Sequence, residues 1–129
     1  MVFAGFRRDI ERYYASADIF VYPSAYEAFS LVSLEAAGAG LPLLVSRVNG
    51  TEDLVRPGVN GLFIEREPSD IAAKIRLLAG DPVLRGRMAA ASAQASRAYS
   101  RQAVAERVLG LLQSSPGPPG RVVGGPQGR

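Results

Sequence analysis

The chain reads as α/β: a parallel sheet with flanking helices, predicted by three observations. Ile19-Phe20-Val21-Tyr22 is a continuous apolar, β-rich run stopped by Pro23-Ser24, the mark of a strand covered on both faces. Leu43-Leu44-Val45 is a second run of the same kind. Helical signals separate these runs and follow them, which is the order of an open sheet with right-handed crossovers.

Taken in order, Val2-Phe3 reads as a strand, or the end of one, closed by Gly5. Arg7 to Ala15 carries Ile10, Tyr13 and Tyr14 on one side and charge on the other, which predicts a short helix. Ser30 is positioned to cap a helix running to about Ala39, ended by Gly38, Gly40 and Pro42. Thr51 to Val55 fits one helical turn. Pro57-Gly58 and Asn60-Gly61 are turn signals around a short strand, Leu62 to Ile64. Ser69 or Asp70 opens a helix with Ile71, Ile75 and Leu78 on one face. Asp81-Pro82 opens another, Ala-rich, to about Tyr99, and Arg101 to Leu112 forms a last one through Val104, Val108, Leu111 and Leu112.

These elements place one globular unit at residues 1–113. Residues 114–129 are rich in Gly, Pro and Ser, with almost nothing to bury, and read as a disordered tail. Three or four strands are few for an open α/β sheet, so the sheet is expected to be incomplete, with strands missing upstream. An exposed strand edge then predicts self-association or instability.

Composition excludes several chemistries. There is no Cys, hence no disulfide framework and no thiolate, and no His, the usual general base and metal ligand. Lys and Arg number 15 against 12 Asp and Glu. Setting aside Arg121 and Arg129 of the tail leaves 13 against 12, so the body offers no nucleic-acid face. No apolar run is long enough for a stable membrane span. The expected location is cytoplasmic, with peripheral association at the inner membrane surface left open.

In open α/β sheets ligands bind beyond the carboxyl ends of the strands. Here those ends lead into residues 23–30 and 46–52, where Ser24, Glu27, Ser30, Ser46, Asn49, Gly50 and Glu52 gather. The two loops are expected side by side. The first feeds a helix whose leading amides, around Leu31 and Val32, lack intrahelical partners and attract a phosphate. Helical side chains lean toward the amino terminus, so Glu35 reaches back to the same ligand while Glu27 approaches it from the loop. Two carboxylates beside a phosphate make sense when the ligand also presents hydroxyls, as a nucleotide sugar does.

Pro23-Ser24-x-x-Glu27-x7-Glu35-Ala36 with Gly38-x-Gly40-Leu41-Pro42 resembles the E-x7-E region of retaining GT-B glycosyltransferases of the glycosyltransferase 4 type. Asn49-Gly50-x-Glu52, Gly58-x-Asn60-Gly61-Leu62, Asp81-Pro82 and Tyr99-Ser100 follow in the family's order, so the resemblance covers about Val2 to Leu112. It implies the carboxyl-terminal half-domain of a GT-B enzyme, with a partial Rossmann-like sheet. It further implies transfer of a sugar, with retention, from a nucleotide-diphosphate sugar, and no metal or other cofactor. Glu27 then meets the transferred sugar as the catalytic contact, and the amides of Phe29, Ser30, Leu31 and Val32 meet sugar and phosphate. Glu35 meets the ribose, and Gly50 and Glu52 complete the donor contacts.

The family usually has Gly-Phe-Gly after the first Glu. Ala28-Phe29-Ser30 stands here, and Ser30 adds a side chain where backbone approaches ligand. The partner this implies is an amino-terminal acceptor domain of the same polypeptide, so the 129 residues are expected to be a fragment, inactive alone. A non-catalytic nucleotide-sugar or phosphate-binding module and an interaction fragment are the rival readings. Arg47 reads as a solvated loop charge within reach of a phosphate, Ser24 and Ser46 as turn residues, and Tyr13, Tyr14 and Tyr22 as core or core-edge residues.

Overall fold

The computed structural model describes residues 1–114. Among them the elements run α1 (Ile10–Ser16), β1 (Phe20–Tyr22), α2 (Leu31–Gly38), β2 (Leu43–Val45), α3 (Thr51–Leu54), β3 (Gly61–Phe63), α4 (Pro68–Gly80), α5 (Pro82–Arg97) and α6 (Arg101–Ser114). The expected tail lies outside the described residues except for Ser114, which closes α6. The side chain of Val104 lies outside them too.

The three strands form one parallel sheet in the order β1-β2-β3, with Phe20 beside Leu43 and Leu43 beside Gly61. β2 is central and fully buried, while β1 and β3 are half-covered edges. Alternation along β2 sends Leu43 and Val45 to one face and Leu44 to the other. The first face packs against Ala36 and Ala37 of α2, with Leu41, Leu54, Val55 and the rings of Tyr14, Phe20 and Tyr22. The second packs Leu44 and Ile64 against Leu78 of α4 and Met88 of α5, joined by Ile71 and Ile75. The face expected for α4 is therefore the one it buries. Small residues along α2 let α5 lie close: a Cβ on Gly38 would stand 3.8 Å from Ser96 Oγ.

Helix starts follow their local signals unevenly. Asp81 caps α5, its carboxylate accepting from Leu84 N at 2.9 Å. Pro68 begins α4, its missing N–H costing nothing at that position. Ser69 and Asp70, either of which was expected to open this helix, both lie in its first turn, behind Pro68. The Asp70 carboxylate accepts from Glu65 N at 2.8 Å and from Lys74 Nζ at 2.7 Å. The Lys74 ammonium, then the Glu65 amide, hold Asp70 below the usual aspartate pKa. Ser30 stands at the start of α2, but its hydroxyl pairs with Ser33 Oγ at 2.6 Å and caps no backbone amide.

Two further positions differ from expectation. Val2-Phe3 forms no strand: both residues are about nine-tenths exposed, because no neighbouring strand among the described residues offers them a ladder. Gly61, read as serving a turn and tight packing, opens β3 instead of ending a turn but does pack tightly: any Cβ there would come within 2.1 Å of the Leu43 carbonyl oxygen. Asn60 sits just before it, 1 % exposed. Its Oδ1 accepts from Arg56 N at 2.7 Å and its Nδ2 donates to Leu54 O at 2.9 Å. Its carbonyl accepts from Leu43 N at 3.1 Å and from Ser92 Oγ at 2.9 Å. Asn60 thus closes the turn with its side chain and ties α5 to the sheet with its backbone carbonyl.

Candidate functional site

The carboxyl ends of β1 and β2 open into residues 23–30 and 46–50 on the same edge of the sheet, and the two loops touch. Gly50 has φ 86°, the left-handed region open to glycine, and a Cβ there would stand 2.8 Å from Ser30 N and 3.1 Å from the Phe29 ring. Backbone therefore meets backbone where α2 begins, as the paired loops were expected to do. Thr51, read only as part of a helical turn, fixes the second loop. Its buried Oγ1 accepts from Val48 N at 3.0 Å and lies 2.8 Å from the carbonyl of Ser46. The Gly50-Thr51 step at the start of a helical turn was the available signal.

At the head of α2 the Leu31 N–H turns back to Phe29 O at 3.0 Å, and Leu34 N–H reaches Ser30 O at 3.2 Å. The first-turn amides of Val32 and Ser33 are left without an acceptor inside the helix. Phe29 and Leu31 are exposed, Val32 is half-buried and Ser30 is buried. The helix start consequently offers amides, partial positive charge and apolar cover together.

Glu27 and Glu35 are each held by a tyrosine. The Tyr22 hydroxyl donates to Glu27 Oε1, and Ser24 Oγ lies 3.5 Å from the same oxygen. The Tyr14 hydroxyl donates to Glu35 Oε2 at 3.2 Å. The hydrogen bond to Glu27, and then burial, push the Tyr22 hydroxyl pKa up, and Ser24 offsets part of this. Burial, and then the bond to Glu35, do the same for Tyr14. Glu27 is half-buried and Glu35 exposed, so both retain acceptor capacity toward solvent. Reading Tyr14 and Tyr22 as core-edge residues holds for their rings and misses their hydroxyls.

Glu52 lies exposed in the first turn of α3, past the Gly50 contact. Arg47 is exposed, as a solvated loop charge should be, and its guanidinium also lies over the Phe63 ring, 4.0 Å from the centroid. Ser24, Ser46, Arg47, Glu65 and Arg66 line a small cleft of about 180 Å3 beyond the strand ends. Ser46 Oγ is buried beside it with no hydrogen-bond partner among the described residues. A cleft of about 490 Å3 between α3 and α5, lined by Asp53, Arg56 and Tyr99, includes none of the candidate residues. Among the described residues no group of His, Cys, Asp or Glu is placed to hold a metal ion, and no helix is long and apolar enough to cross a membrane.

Residues 1–81 match the family described as Glycosyl transferases group 1. The D-inositol 3-phosphate glycosyltransferase of Thermomonospora curvata is 34 % identical over 101 residues, which is 78 % of this chain and 23 % of that protein. The structure of Anabaena Alr3699/HepE in complex with UDP and glucose superposes with a TM-score of 0.76 at 30 % identity, over 87 % of this chain and 31 % of that one. Sucrose-phosphate synthase from Thermosynechococcus elongatus superposes with a TM-score of 0.71 at 29 % identity, over 78 % of this chain and 26 % of that one. The chain spans about a quarter of the length of the curated relatives it matches.

Proposed function

Given that the chain belongs to the Glycosyl transferases group 1 family, we propose that it supplies part of the donor site of a retaining glycosyltransferase that uses a nucleotide-diphosphate sugar. The observation carrying this reading is the contact of Gly50 with the head of α2, flanked by two carboxylates that tyrosines hold in place. Glu27 accepts from hydroxyls of the transferred sugar, and Glu35 from the ribose hydroxyls. The diphosphate lies against the Val32 and Ser33 amides, where the helix dipole favours the charge that grows as the leaving group departs. The acceptor oxygen bonds to the anomeric carbon on the face the phosphate leaves, and the leaving phosphate oxygen takes the acceptor proton. No side chain of this segment serves as base, and backbone amides do the work a metal does elsewhere. The acceptor surface belongs to an amino-terminal domain of the same polypeptide, in the cytoplasm.

Calorimetric titration of the chain with UDP, GDP and ADP, and with UDP-glucose, GDP-mannose and ADP-glucose, tests the reading. One base series is expected to bind. Within it Glu35→Gln should weaken diphosphate and nucleotide sugar alike, whereas Glu27→Gln should weaken only the nucleotide sugar. No heat from any of the six at millimolar concentration overturns it. Binding without transfer by the whole protein would favour the non-catalytic module instead.

A further inference from the structure

Three aromatic rings line one face of β1 and its approach. Tyr14 of α1 meets Phe20 edge-on, with ring centroids 6.1 Å apart, and Phe20 stacks on Tyr22 at 5.9 Å. All three pack against the core of Ala36, Leu43 and Val45. The row is anchored by the sheet and ends in two hydroxyls, one on each candidate carboxylate. A tyrosine has two side-chain torsions, so once its ring is packed its hydroxyl has little freedom left.

We propose that Tyr22 and Tyr14 are positioning residues of the donor site, Tyr22 orienting Glu27 toward the transferred sugar and Tyr14 orienting Glu35 toward the ribose, with Phe20 setting the spacing between them. This rests on the donor-site reading above. An ionised carboxylate has about four acceptor directions, and fixing one of them by a donor aims the rest. The donors also disperse charge on two acids that must stand near a diphosphate. Neither hydroxyl is required to touch the ligand.

The test compares UDP with UDP-glucose, or GDP with GDP-mannose, on the 129-residue chain and its variants. Tyr22→Phe is expected to weaken the nucleotide sugar about tenfold, the scale of one charge-assisted hydrogen bond, and to leave the diphosphate unchanged. Tyr14→Phe is expected to weaken both ligands by the same factor. In a Glu27→Gln background Tyr22→Phe should add nothing, which a general structural role would not produce. A ligand-free measurement stands beside these. Titrating tyrosinate absorbance should show two late-ionising hydroxyls, with Glu27→Gln returning Tyr22 toward the ordinary tyrosine range and Glu35→Gln lowering Tyr14 only in part, since burial is its larger cause. A chain that binds while Tyr22→Phe affects both ligands or neither overturns the positioning role and leaves the donor site standing. Tyrosines that ionise normally in the wild-type chain overturn it without any ligand. A chain that binds none of these ligands overturns the donor site, and this inference with it.

Discussion

The two ends of the β-sheet use polar residues in opposite ways. At the amino ends of the strands, Asn60 is buried and its amide oxygen, amide nitrogen and carbonyl are all engaged. At the carboxyl ends, Glu27 and Glu35 remain open to solvent, each tied by one tyrosine and each with acceptor directions to spare. A buried polar side chain whose bonds all go to the protein's own backbone is a structural part, because removing it strands those partners. One with capacity left, held in place by a packed neighbour, is available to a ligand. The contrast separates Asn60 from Glu27 although both stand in motifs of the same family resemblance.

Substitutions at the amino ends should therefore act on stability and those at the carboxyl ends on binding. The largest effect is expected from Gly61→Ala, whose methyl group has no space against Leu43 O. It should cost more than about 3 kcal/mol in urea unfolding, or leave the chain insoluble. Asn60→Ala should cost about 2–4 kcal/mol by orphaning Leu54 O and Arg56 N, with a folded remainder that still binds. Gly50→Ala joins the two classes. Its positive φ and the Ser30 contact predict about 1–3 kcal/mol of strain, together with loss of nucleotide binding. Glu35→Gln should reduce diphosphate affinity about tenfold while shifting unfolding by less than about 0.5 kcal/mol. An Asn60→Ala chain that melts normally, or a Glu35→Gln chain that unfolds, would break the comparison.

The smallest effect belongs to the clip at Asp70. Its pKa is lowered in the fold by Lys74 and the Glu65 amide, so its contribution is present above the ordinary aspartate pKa. The contribution is lost as pH falls from that value through the lowered one. Asp70→Asn should flatten the acid limb of a thermal-melt profile over that window alone.

Local signals were enough for much of this. The run 43–45 is a buried strand because only residues covered on both faces read as unbroken Leu and Val, and Asp81-Pro82 is a helix start whose cap is formed within four residues. Glu27 and Glu35 were legible as a pair because their spacing around a helix start is a local property of the chain. The Tyr14–Glu35 bond was not, because it spans 21 positions and depends on which face of α2 turns toward α1. The ring of Phe63 beneath exposed Arg47 was not legible either, because only the fold brings β3 beside that loop.

By itself the sequence determined the α/β class, the order of the elements from α1 onward and the spacing of two acids about the start of α2. Those features follow from periodicity, turn chemistry and spacing within a few residues. Only the tertiary structure decided that Val2-Phe3 stays unpaired, that Gly61 belongs to a strand, and that tyrosine hydroxyls take hold of both acids. Strand membership requires a neighbour to hydrogen-bond, and a side chain's partner depends on packing between elements distant in sequence. Neither is encoded in any short stretch of residues.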